Sequence, residues 1–248
     1  MRTTNGYRAV VGWATAFALS AGLVLGVGAR ENYEMMGRGG AAFASILLDE
    51  KVHRFEEAAQ EIEIDEYQGE RLGSVTDFRE NSIKGVQQID IDTYSLQVVG
   101  LVEQPSALTY EELLELTRIE KLVTIHCVEG WSVTALWEGI PLTELLDRAK
   151  PLAEANTVIF RAADGYTTSL PLDVIRERNL IIADRINGIR LPAENGFPFQ
   201  LVAEQKWGYK WIRWLTGIEL TDDPAYRGYW ERRGYSNQGD ADGPLFGD

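Results

Sequence analysis

The chain has a single cysteine, Cys127, in the segment Thr124-Ile-His-Cys-Val-Glu-Gly-Trp-Ser132, at the end of an apolar run. A lone cysteine in that setting is most often a buried structural thiol. Its thiolate is also a soft, charge-donating ligand for a metal. The adjacent His126 suggests a thiol–imidazole pair, but neighbours on a strand project to opposite faces, so the two side chains are expected to diverge. The other histidine, His53, lies far off in an acidic stretch. With one cysteine and two histidines no zinc spacing can be written, so any metal must arrive largely dressed in other ligands. Serine-hydrolase chemistry lacks its Gly-x-Ser-x-Gly elbow. The 38 carboxylates make accidental pairs inevitable, and none stands out as a glycosidase pair.

A second segment with chemical potential is Gln205–Ile218, QKWGYKWIRWLTGI. It carries Lys206, Lys210 and Arg213 among three tryptophans and a tyrosine, and it contains no acid, in a chain of net charge −14. Cations beside Gly208 suit a phosphate, with backbone amides approaching its oxygens and aromatic faces flanking a flat heterocycle. Equally, Trp207, Trp211 and Trp214 are core residues over which the cations snorkel. The residues alone leave both readings open.

The elements that must position these groups are legible in outline. A length of 248 residues with 45% hydrophobic content suits one packed domain plus an appendage. The acidity disfavours nonspecific binding to nucleic acid or anionic lipid. Ala9–Ala29 runs twenty-one residues without a charge and reads as a transmembrane helix; a cleaved signal peptide is the rival, given Arg2 and Arg8 ahead of it and the small residues Val27-Gly28-Ala29 at its end. Cations on both sides leave its orientation open. We expect residues 1–30 to be this anchor or signal, 31–75 an acidic linker, 76–235 the globular domain and 236–248 a flexible tail. Within the domain, Tyr94–Val99, Lys121–Val128, Thr157–Ala162, Phe199–Ala203 and Trp211–Leu220 read as strands. Thr109-x-x-Glu112 is a capping box opening a helix, Pro141 starts another through about Ala149, and Asn187-Gly188 and Asn195-Gly196 mark turns. Strands outnumber helices, which predicts a mixed α+β domain.

Six blocks in one order carry a resemblance: FRENSIKGVQ at 78–87, YSLQVVGLVEQPSALTYEEL at 94–113, HCVEGWSVTALWEGIPLTELL at 126–146, LPAENGFPFQLV at 191–202, KWGYKWIRWLTGIEL at 206–220 and GYWERRGYSN at 228–237. Together they resemble the molybdopterin-binding domain of the sulfite oxidase family, in the single-domain branch that includes the periplasmic methionine-sulfoxide reductase catalytic subunit. The resemblance implies a strand-rich sulfite-oxidase-type fold, Mo-molybdopterin as cofactor, and Cys127 as catalytic residue and metal ligand. It implies Asn195, Trp211, Ile212 and Arg213 around the pterin phosphate, and Asn81 facing the cofactor. Two departures stand out, Gln200 where that branch has arginine and Ala162 where it has threonine; Lys206 or Lys210 is expected to supply the lost charge. Glu129 and Trp131 would share the parity of Cys127 if the strand continues past it, and are expected to shape the pocket. The implied reaction is oxygen-atom transfer on a small sulfite- or sulfoxide-like substrate. No haem-attachment motif is present, so electrons are expected from a membrane cytochrome or quinol-linked partner. The implied location is a single-pass membrane protein with an extracytoplasmic domain, although no twin-arginine pair precedes the apolar run. The family's C-terminal immunoglobulin-like module has no counterpart in these residues, and a homodimer through it is not expected. The alternative expectation is a noncatalytic molybdopterin-fold subunit of a larger membrane complex, and a metal-free thiol enzyme using Cys127 is a third.

Overall fold

The computed structural model describes residues 62–247. The expected anchor, most of the expected linker and His53 lie outside the described residues. Among the described residues no helix is long and apolar enough to cross a membrane.

The chain enters through a small ribbon, β1 (Glu66–Tyr67) against β2 (Glu70–Arg71). It then forms β3 (Ser95–Gly100) and β4 (Ser106–Thr109), after which the Thr109 side chain and Glu112 close the expected capping box on α1 (Tyr110–Leu114). A long hairpin follows, β5 (Ile119–His126) and β6 (Ser132–Pro141), paired in register from Ile119↔Gly139 to His126↔Ser132. Pro141 ends β6 and starts α2 (Leu142–Ala149), which buries Leu142, Leu145, Leu146 and Ala149 at helical spacing. The remainder comprises β7 (Thr157–Ala162), β8 (Thr167–Pro171), α3 (Leu172–Glu177), β9 (Ile181–Ile186), β10 (Ile189–Arg190), β11 (Gln200–Val202) and β12 (Leu215–Thr221).

These strands make two five-stranded sheets. One runs β10-β9-β6-β5 with β11 also on β9, the other β4-β3-β12-β7-β8. β12 lies parallel to β3 and antiparallel to β7. A single apolar cluster joins them, with Trp137, Phe160 and Phe199 fully buried. Each such side chain contributes about 1.5–3 kcal/mol by leaving water. The strand-rich α+β expectation holds in this architecture.

Three expectations need correction. The strand expected over Trp211–Leu220 begins only at Leu215, because Trp214 takes a left-handed backbone (φ 51) that breaks the extended run before it. Residues 62–75, read as linker, are tied down: Asn187 in the β9–β10 turn donates to Glu63 Oε1 (2.9 Å) and to the Gly73 carbonyl (2.8 Å), while accepting from Leu136 N–H (3.0 Å). A wholly buried amide at a turn must be satisfied on every side, and this acidic stretch supplies the acceptors. Residues 236–247, read as a flexible tail, also pack back. Trp207 N–H donates to the Gly239 carbonyl, Ala241 N–H to Gln205, and Tyr235 bridges Phe246.

Candidate functional site

The β5–β6 hairpin is the scaffold of the site. Its five-residue connection, Cys127–Trp131, is closed by Cys127 N–H to the Trp131 carbonyl (2.9 Å) and Gly130 N–H to the Cys127 carbonyl (3.0 Å). Gly130 sits at φ +85 in open space, so its conformation rather than its size calls for glycine. The turn lifts Cys127 just off the strand end and points it into a cavity of about 200 Å³. His126 faces elsewhere, with Nδ1 2.9 Å from Ser132 Oγ.

Two further segments close on the thiol. Asn81 Nδ2 donates to Cys127 Sγ at 3.8 Å, and Asn81 Oδ1 accepts from Arg213 Nη2 at 2.8 Å. Arg213 also donates to the Glu194 carbonyl (2.9 Å), and Trp214 Nε1 donates to the Ala193 carbonyl (2.8 Å), so the Asn195-Gly196 turn is fastened against residues 213–214. Gly196 is required there: a Cβ on it would stand 2.8 Å from Arg213 Cβ, and its φ is +105. Asn195, thus held, lines the cavity and donates to the Val75 carbonyl. On the other wall Phe78 stacks edge-on with both Trp131 and Trp137, and Trp131 Nε1 donates to Glu129 Oε2 (3.1 Å).

Burial pushes the Cys127 thiol above its ordinary pKa, and the Glu129 carboxylate adds to the rise; hydrogen bonding from the Glu129 backbone and Asn81, and the charge of Arg213, oppose it. Burial likewise lowers the Arg213 pKa, against the pull of Glu80, Asp164, Cys127 and Tyr166.

Of the residues singled out by sequence, Cys127, Asn81, Asn195, Trp211 and Arg213 converge on this cavity, with Glu129 and Trp131 beside them. Ile212 does not line it; it sits in the core, its carbonyl accepting from the Leu201 N–H (2.9 Å). Lys206 and Lys210 are also corrections. Lys206 is 2% exposed and bound to Asp240 (2.7 Å) and the Gln238 carbonyl, while Lys210 is wholly buried against Glu231 (2.7 Å) and the Ser169 carbonyl. Neither supplies the charge that Gln200 lacks, and Gln200 itself lines the cavity. Sequence reasoning missed Asp164, Tyr166, Trp230 and Tyr235 as cavity residues. Their signals were the Asp164-Gly165 turn after β7 and the late aromatic block.

The donor set fits a metal that brings its own sulfur ligands. Among the described residues no three His, Cys, Asp or Glu side chains converge to hold a bare ion, whereas one thiol opens into the cavity flanked by an amide, a guanidinium and aromatic walls. That set suits a flat, anionic, dithiolene-bearing cofactor better than a naked cation.

Residues 83–230 match the family model described as oxidoreductase molybdopterin binding domain. An uncharacterized oxidoreductase of Bacillus subtilis, YuiH, is 38% identical over 152 residues, which is 61% of this chain and 76% of that protein. The protein-methionine-sulfoxide reductase catalytic subunit of Xanthomonas campestris pv. campestris is 30% identical over 155 residues, 56% of this chain and 48% of that subunit, so the chain spans about half the length of that relative. Among solved structures, the sulfane dehydrogenase SoxCD from Paracoccus pantotrophus aligns with a TM-score of 0.55 and 23% identity, over 60% of this chain and 42% of that one. At that identity the likeness is one of fold.

Proposed function

The chain belongs to the oxidoreductase molybdopterin-binding family of the sulfite-oxidase type, and from that premise we propose that it transfers an oxygen atom to or from a small, uncharged sulfur compound, a sulfoxide in preference to a sulfite anion. It is a molybdopterin-dependent oxidoreductase, with Mo-molybdopterin as its cofactor. The observation that carries the reading is the Cys127 thiol opening into an aromatic cavity with Asn81 and Arg213 in a hydrogen-bonded chain behind it.

When bound, the cofactor supplies a metal able to exchange an oxo group and two electrons. Cys127 would hold that metal, releasing its thiol proton on ligation. Asn81 orients the sulfur, and Arg213 orients Asn81. Asn195, Trp211 and Arg213 would hold the pterin side. Phe78 and Trp131 keep water from the reacting centre, which strengthens every polar contact inside.

Charge favours the neutral substrate. Among the described residues the charged side chains lining the cavity are Arg79 and Arg213 against Glu129 and Asp164, which leaves no net positive field for an oxyanion. In this reading Arg213 is taken up by the pterin side together with Asn81 and Glu194, and Gln200 offers only an amide. In the reducing direction a sulfoxide takes two electrons and two protons and leaves as sulfide and water. The electrons come from a partner, since one cysteine cannot build a second cysteine-ligated centre. We place that partner in the membrane as a cytochrome or quinol-linked complex. Residues 1–30 serve as the anchor beside it and the catalytic domain is extracytoplasmic. Alkaline-carbonate extraction of full-length and residue 31–248 chains tests the anchor: only the full chain should stay with the membrane.

The deciding experiment is molybdenum per chain in wild-type and Cys127→Ser protein purified from membranes, followed by reduction of dimethyl sulfoxide and oxidation of sulfite with a small-molecule electron carrier. About one molybdenum per wild-type chain, its loss in the variant and turnover of the sulfoxide are expected. Intact native protein without molybdenum, or turnover of sulfite alone, overturns the proposal.

A further inference from the structure

We propose that the surface around Arg232 and Arg233 is a docking site for an acidic, one-electron carrier protein that feeds this cavity. The inference rests on the proposed function only in requiring that electrons come from a protein partner, and it makes the carrier a shuttle between the membrane complex and this chain.

Charge is the first support. The chain carries a net −14, yet the stretch Tyr226–Gln238 holds three arginines and one acid, Glu231. That acid is 1% exposed and turned inward, where Lys210 Nζ (2.7 Å) and Thr168 Oγ1 (2.6 Å) both bind Oε1. Burying the pair costs desolvation energy, and its consequence is that the short helical turn Glu231–Arg233 shows water only its cations.

The cations are held in place. Arg233 lies with its guanidinium carbon 3.6 Å from the Tyr229 ring centroid and donates to the Tyr229 carbonyl (2.6 Å). Arg232 donates to the Arg227 carbonyl (3.1 Å). Both are exposed, and among the described residues the groups they touch are carbonyls and rings. A pre-positioned guanidinium loses little freedom when a partner's carboxylate arrives, and its planar fork matches that carboxylate.

Position links the surface to the chemistry. Trp230 and Tyr235, on either side of the two arginines, line the same cavity as Cys127. Their rings meet at 5.3 Å, and Tyr235 meets Phe246 at 4.8 Å, with Phe246 61% exposed. Exposed aromatic and arginine side together is the composition of a protein interface core. The acidic surface elsewhere repels an acidic carrier, so this face selects its orientation as well as its approach. Two reduced carriers docking in turn each give up one electron. With two protons from solvent they reduce one sulfoxide to sulfide and water.

The test is the affinity of the full-length holoenzyme for a plant-type ferredoxin, an acidic one-electron carrier, measured from low to high salt. Arg232→Glu is expected to weaken binding about tenfold at low salt and to converge with wild type once salt screens the charges. Arg148→Glu, the same charge change on a helix outside this surface, should bind as wild type does. Equal affinity in Arg232→Glu and wild type, or equal loss in Arg148→Glu, overturns the docking site. Turnover of dimethyl sulfoxide with reduced methyl viologen, which needs no docking face, is expected to be unchanged in Arg232→Glu. If wild type fails that assay it is the proposed reaction that falls, while the binding result still judges the surface.

Discussion

Arg213 and Lys210 stand three residues apart in one aromatic, acid-free segment, and the fold uses them in opposite ways. Lys210 closes the 3₁₀ turn Gly208–Lys210 and points inward, with no exposed surface, onto Glu231. Arg213 follows the turn, just before the left-handed Trp214, and reaches the cavity to meet Asn81. One cation therefore fastens the outer wall to the sheets and the other addresses the site. Proximity in sequence to a phosphate-like motif says little about which way a cation faces; the backbone turn between the two decides it.

The comparison breaks most visibly at the buried pair. Lys210→Met leaves Glu231 uncompensated in the interior and should cost about 3–5 kcal/mol. Converted at roughly 2–4 °C per kcal/mol for a domain of this size, a thermal melt should show a fall of about 10 °C. Lys210→Met with Glu231→Leu should recover most of it, since replacing both partners by apolar groups is often near neutral. A double variant as unstable as the single one would show that the pair does more than satisfy itself.

Arg213→Ala should cost about 1.5–3 kcal/mol, since the Glu194 carbonyl and Asn81 lose a charged donor, and should weaken retention of the molybdenum cofactor about 10–100-fold, because it removes the support of Asn81. Molybdenum per chain after dialysis is the readout, and retention at wild-type level would remove Arg213 from the site. Asn81→Ala should follow it with a loss of about tenfold. Smallest is Gly130→Ala, which has room for its methyl but not the backbone angle, and should cost about 1–2 kcal/mol by chemical denaturation. A neutral result there would show that the hairpin connection relaxes without glycine.

Between the sheets and the site, legibility differed for physical reasons. Alternation over Tyr94–Val99 and the β-branched run Thr157–Ala162 announced strands, because a half-buried strand writes its period into the chain. The Thr109–Glu112 box and the Asn187-Gly188 turn were equally plain, since local hydrogen bonds determine them. The Cys127 thiol stood out only through a family block, because a lone cysteine has no local signature.

By itself the sequence determined the element types, the two Asn-Gly turns, the strand-rich domain and the family to which Cys127 belongs. All of these rest on interactions within a few residues or on an ordered set of blocks. Only the tertiary structure decided that Lys206 and Lys210 are spent on Asp240 and Glu231, that Asn187 binds the acidic stretch ahead of the domain, and that Asn81 reaches Cys127 across 46 residues. Those pairings depend on which way each backbone turn aims a side chain and on where a buried charge or amide can be satisfied, and no local pattern in the chain encodes either.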